Sequence, residues 1–161
     1  MHLWLIRPLV DDFVAGRISE RQGMRYFLAS TLLILFQTQY ALWWGPRSGW
    51  LFYFELAALA LISCIGTLEC WKVHQGNDFV LKVLCLSVPA GIRVFILSLA
   101  FGLLLNFYAN SLFDHHIFRN PDLAYDFVSY VSFIGFTLYY WRLLYQGIAT
   151  ISKAKSVATL A

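Results

Sequence analysis

The chain has 161 residues, 60% of them hydrophobic, 18% aromatic and only 13% charged, with a formal net charge of +3. Soluble domains carry about a quarter charged residues and under half apolar ones, so the charge deficit excludes an ordinary water-facing fold. The small net charge, with no basic run outside the flanks of apolar segments, argues against nucleic acid as a partner.

Mean hydropathy is +0.63. The longest run outside the apolar segments is about the first 24 residues, too short for a separate soluble domain. The composition therefore predicts a single membrane domain over 1–161. Its fold class is all-α: a four-helix transmembrane bundle with a short N-terminal amphipathic helix and a Pro-kinked third span.

Residues 1–18 are apolar only in bursts, broken by Arg7, Pro8, Asp11 and Asp12. A signal peptide would need a basic start, an unbroken apolar centre and a small-residue cleavage site, so this segment is expected to be retained. Leu5, Leu9 and Phe13, with Val10 and Val14, recur at helical spacing. That pattern predicts an amphipathic helix on the membrane surface or against the bundle, ended by Gly16.

Ser19-Glu20-Arg21-Gln22 is a capping-box sequence and opens the first predicted span, about 24–44. Gln37, Thr38 and Gln39 lie in its outer half. Gly45-Pro46-Arg47-Ser48-Gly49 reads as a tight turn, flanked by Trp43, Trp44 and Trp50 as an aromatic belt. The second predicted span, about 50–71, carries Glu55 and Glu69. Fourteen residues apart, they fall near one face, separated by about 21 Å along the axis. Ala58, Ile62 and Gly66 share that stripe, which is therefore expected to pack on protein rather than lipid.

Residues 79–108 form an apolar run of about 45 Å if wholly helical, more than a 30 Å hydrocarbon core requires. Pro89 is expected to absorb the excess. It would separate a short interfacial helix, Asp78 to Leu86 with Lys82 among the headgroups, from a crossing over about 89–108. Ser98, Gly102 and Asn106 sit four apart in that crossing, a stripe suited to close helix contact. Ala109 to Asn120 reads as a loop. Asn120-Pro121-Asp122 has the chemistry of a helix start, with the last predicted span at about 123–146 and a short tail from Ser152.

Nine basic residues (Arg7, Arg17, Arg21, Arg25, Lys72, Lys82, Arg142, Lys153 and Lys155) fall on one predicted side, against Arg47 and Arg119 on the other. This bias places both termini in the cytoplasm. Brevity and charge asymmetry together favour a bacterial inner membrane.

An intramembrane charge is costly unless partnered, which makes Glu55, Glu69, Arg93 and Arg142 the candidate polar cluster, with Gln37 and Gln39 near Glu55. Glu69, Arg93 and Arg142 are predicted at similar depth, and a Glu69–Arg93 pair is expected. An interhelical lock, or an arginine on a lipid phosphate, explains that pair as well as transport does. Glu55 fits either a satisfied interhelical contact or a proton- or cation-binding carboxyl.

Asp114, His115 and His116 are the one cluster of metal-ligand types, and a weak one: adjacent histidines seldom converge on one ion, and no third ligand recurs at regular spacing. No histidine falls inside a predicted span, which argues against a haem. No cofactor is therefore expected. Cys64, Cys70 and Cys85 form neither a disulfide framework nor a metal spacing. Phe127, Tyr130, Phe133, Phe136 and Tyr139 recur in threes and are read first as packing, second as a groove for a lipid tail or quinone.

A Gly-rich phosphate loop, a His-Glu-x-x-His helix and a Gly-x-Ser-x-Gly elbow are all absent from the sequence. The functional expectation is therefore non-enzymatic. The chain is read as a small multi-pass protein acting through helix–helix interaction, as a subunit or accessory factor of a membrane assembly or as a homo-oligomer. One alternative is an oligomeric channel or transporter using Glu55 and the Glu69/Arg93 pair. The other is an intramembrane enzyme acting on lipid.

Overall fold

A computed structural model describes residues 6–43, 50–74, 78–112 and 121–160. These residues form five helices: α1 (Ile6–Val14), α2 (Glu20–Trp43), α3 (Trp50–Val73), α4 (Phe79–Leu112) and α5 (Pro121–Leu160), with no strand among them. Segments Tyr53–Val73 and Phe79–Leu105 are each long and apolar enough to cross a membrane.

α1 is short and one-sided, with Leu9, Val10 and Phe13 buried. It ends in a Schellman motif. Gly16 takes φ +65°, a conformation costly for any residue with a Cβ. The Arg17 amide then donates to the Asp12 carbonyl at 2.9 Å and the Gly16 amide to that of Phe13 at 3.2 Å. The Arg17 guanidinium closes the same turn on the Asp12 carboxylate at 2.9 Å. Two residues later the capping box forms as its sequence predicts. The Gln22 amide donates to Ser19 Oγ at 3.3 Å, and the Ser19 amide donates to Gln22 Oε1 at 3.1 Å.

The four long helices form an open row. α2 packs on α4, α4 on α5, and α5 on α3, while α1 lies across α4 and α5 at one end. Glycines set the close approaches. A Cβ on Gly23 would stand 2.7 Å from Leu81 Cδ1, one on Gly91 would stand 2.6 Å from Leu33 Cδ2, and one on Gly147 would stand 3.0 Å from Leu86 Cδ1. On α3, Gly66 lies directly under the indole of Trp141. The half-buried positions of α3 include Glu55, Ala58, Ile62 and Gly66 and lead to buried Cys70, so the small-residue stripe is the face turned to α5. The core joins α1 to the first half of α4 and the second half of α5, through Leu9, Phe13, Cys85, Leu86, Leu144 and Ile148.

Three local expectations change. α4 runs unbroken through Pro89 for 34 residues, rather than dividing into a surface helix and a crossing. Proline removes the donor for the Cys85 carbonyl and alone would cost about 3 kcal/mol. Here Leu86, Val88, Pro89 and Ala90 are all buried, and packing on both sides holds the helix together. Lys82 is not at an exposed surface: it is 1% accessible. Finally, α5 continues to Leu160, so the segment from Ser152 is helical and not a tail.

Candidate functional site

Three polar places emerge among the described residues, and two of them use residues of the predicted cluster. The first is a groove of about 240 Å³ between α3 and α5, lined by Gly66, Glu69, Trp141, Arg142 and Tyr145. At Gly66 the indole of Trp141 rests on a residue with no side chain, so one wall of the groove is backbone. Glu69 and Arg142 are both exposed. Glu69 Oε1 lies 2.6 Å from Lys72 Nζ, an ion pair across one helical turn. Arg93 is half-buried on α4 and does not line this groove. The structure thus brings Glu69 and Arg142 to one groove and places Lys72, absent from the predicted cluster, on the glutamate.

The second place lies farther along the same helix pair. Phe54 and Tyr130 have ring centroids 5.8 Å apart. Together with Gly66 and Trp141, this contact sets α3 and α5 parallel with a constant offset, so Glu55 lies level with Tyr130 and is its charged neighbour. The Tyr130 hydroxyl is buried and makes no hydrogen bond among the described residues. Gln37 and Gln39 fall on α2, and their side chains lie outside the described residues, as do Asp114, His115 and His116.

The third place was missed by sequence reasoning. Lys82 Nζ lies 3.3 Å from His74 Nδ1. An ammonium can only donate, so the imidazole nitrogen accepts. His74 in turn forms a triangle of rings with Trp71 and Phe79, 6.2 and 5.3 Å away, which meet each other edge-on at 5.0 Å. The signal was present: Lys82 shares a helical stripe with Leu86, Pro89 and Arg93, the stripe that faces α5. A lone lysine beside a polar connection reads as a headgroup contact only while that packing is unknown.

The aromatic stripe of α5 divides. Steps of three fall 60° short of a full turn, so the five rings sweep round the helix. Tyr130 is buried against Phe54 and Phe136 meets Phe101 edge-on at 5.9 Å, whereas Phe127 and Phe133 are exposed. Its first role, packing, accounts for the inward rings.

No family model, curated protein or solved structure matches the chain. Among the described residues no three His, Cys, Asp or Glu side chains are grouped so as to hold a metal ion. The Glu69 carboxylate is open to its surroundings and ion-paired, which suits recognition of a polar group more than proton transfer. The buried groups, Lys82 and Tyr130, face helix contacts.

Proposed function

We propose that the protein crosses a bacterial inner membrane four times, with both termini in the cytoplasm. It acts there through helix–helix interaction, as a subunit or accessory factor of a membrane assembly or as a homo-oligomer. The observation that carries this reading is the open row. A closed four-helix arrangement gives every helix two neighbours, but α2 packs mainly on α4 and α3 mainly on α5. Each edge helix therefore presents most of its circumference outward.

In lipid, apolar surface alone does not drive helices together. Close van der Waals contact at small residues does. The chain applies that rule internally at Gly23, Gly66, Gly91 and Gly147. The outward side of α3 repeats it, with Ala57, Ala60 and Cys64 exposed at helical spacing. The bias of basic residues supports the orientation.

The test is native mass spectrometry of protein released from lipid nanodiscs, with Ala60→Trp and Cys64→Trp as variants. Self-association or a co-purifying membrane subunit is expected for the wild type, reduced at least fivefold in the variants. Wild-type protein that is strictly monomeric and partner-free at every lipid-to-protein ratio overturns the reading.

A further inference from the structure

A groove lies between α2 and α4, near the α1 end of the row. It has a volume of about 600 Å³ and is lined by Arg21, Gly23, Met24, Phe27, Leu81 and Leu84. That size suits a small-molecule ligand, for which pockets span about 300–1,000 Å³. Gly23 meets Leu81 at its floor, and its missing side chain lets the trough run between the helices. Met24 is 60% exposed, so one long wall is apolar surface left open.

The one charge in the lining is Arg21, in the first turn of α2. Arg25 stands one turn farther on, also exposed. Neither is paired with a carboxylate among the described residues, whereas Arg17, one turn back, is held by Asp12. Like charges four apart on a helix repel, and an anion between them relieves that repulsion. Guanidinium groups take phosphate oxygens in a bidentate fork. From Arg21 to Phe27 the trough descends about 9 Å along the helix, turning from cationic to wholly apolar.

We propose that this groove binds one anionic phospholipid, its phosphate on Arg21 and Arg25 and an acyl chain along Met24, Phe27, Leu81 and Leu84. The net negative charge of the lipid matters. Two arginines on a zwitterionic headgroup would be left with uncompensated positive charge, whereas a headgroup such as phosphatidylglycerol offsets part of it. The proposal rests on the membrane placement given above and not on the assembly.

The experiment is native mass spectrometry of protein released from nanodiscs of equal phosphatidylglycerol and phosphatidylcholine. One phosphatidylglycerol is expected to stay bound after gentle detergent exchange, with phosphatidylcholine retained at least fivefold less. R21Q/R25Q is expected to lower retention at least fivefold at unchanged helix content. Met24→Glu, which puts a carboxylate on the trough wall while keeping both arginines, is expected to do the same. Equal retention of the two lipids, or unchanged retention in both variants, overturns the proposal. So does displacement by millimolar inorganic phosphate, which would reveal an anion site without a lipid. Monomeric protein that keeps its phosphatidylglycerol overturns only the assembly. Protein recovered in the soluble fraction overturns the membrane placement and this site with it.

Discussion

The indole of Trp141 rests on Gly66, and any side chain added there must displace it. Gly66→Ala is therefore expected to destabilise the protein by about 1–3 kcal/mol, the usual cost of overpacking. Trp141→Leu in the same chain should recover much of that loss, as contacting residues do not add independently. Gly135 supplies the control, because a Cβ there would meet nothing within 4 Å. Gly135→Ala should be neutral or stabilise by about 0.4–1 kcal/mol, by restricting the unfolded chain. Chemical unfolding in mixed micelles measures all three, and equal costs at Gly66 and Gly135 would show that the α3–α5 contact is looser than it looks. The buried amine gives a second contrast. Lys82→Met removes a charge from a buried position and should stay within about 1 kcal/mol of wild type. His74→Phe takes the imidazole acceptor from the buried ammonium and should cost about 1–3 kcal/mol. A larger loss in Lys82→Met than in His74→Phe would mean that the amine organises this corner and is not merely tolerated in it.

At the scale of elements, what was local in sequence was legible. The turn at Gly16 and the cap at Ser19 depend on residues within five positions of each other, and both form as their sequences dictate. Ser19→Ala should accordingly cost about 0.5–2 kcal/mol, with Ser19→Asp close to wild type, since a carboxylate also accepts from the first-turn amides. Proteolysis at the α1–α2 connection reads the local part of that effect, and equal cleavage of the two variants would count against the cap. The stripe of small residues on α3 was legible for the same reason, because helical periodicity alone aligns Glu55, Ala58, Ile62 and Gly66. Pro89 was not. A proline in an apolar run argues for a break from chain chemistry, but whether the helix breaks depends on what packs beside it. The neighbours here come from α1, α2 and α5, far away in sequence. Lys82 eluded the sequence in the same way: its face was predictable, but not the helix covering that face. Glu69 has a simpler history, for Lys72 was always one turn away, while the expected Arg93 lies on a helix that does not border the Glu69 groove.

For the molecule as a whole, the helical class followed from composition, while the order of the row did not. Hairpin-connected helices are expected to be neighbours. Yet α3 packs chiefly on α5 and touches the helix that follows it at Trp71 and Phe79. Gly66 and Trp141 explain the preference once both are seen, but nothing in the sequence pairs them. The number of crossings tests the molecular reading most directly. α2 and α5 are about 36 and 60 Å long, sufficient in length to cross, whereas among the described residues the segments that are also apolar enough belong to α3 and α4. If all four cross, Gly16, Asp78 and Lys153 lie on one side of the membrane and Ser48 on the other. If only α3 and α4 cross, Gly16 and Lys153 move to the side of Ser48, while Asp78 stays opposite. Single cysteines at Ser48, Asp78 and Lys153, in a chain whose native cysteines are replaced by serine or alanine, separate the two cases through a membrane-impermeant maleimide applied to intact cells. Four crossings predict labelling at Ser48 alone, with Asp78 and Lys153 reacting only after permeabilisation. Labelling of Lys153 together with Ser48 would leave two crossings, those of α3 and α4, and α2 and α5 would then not span the membrane.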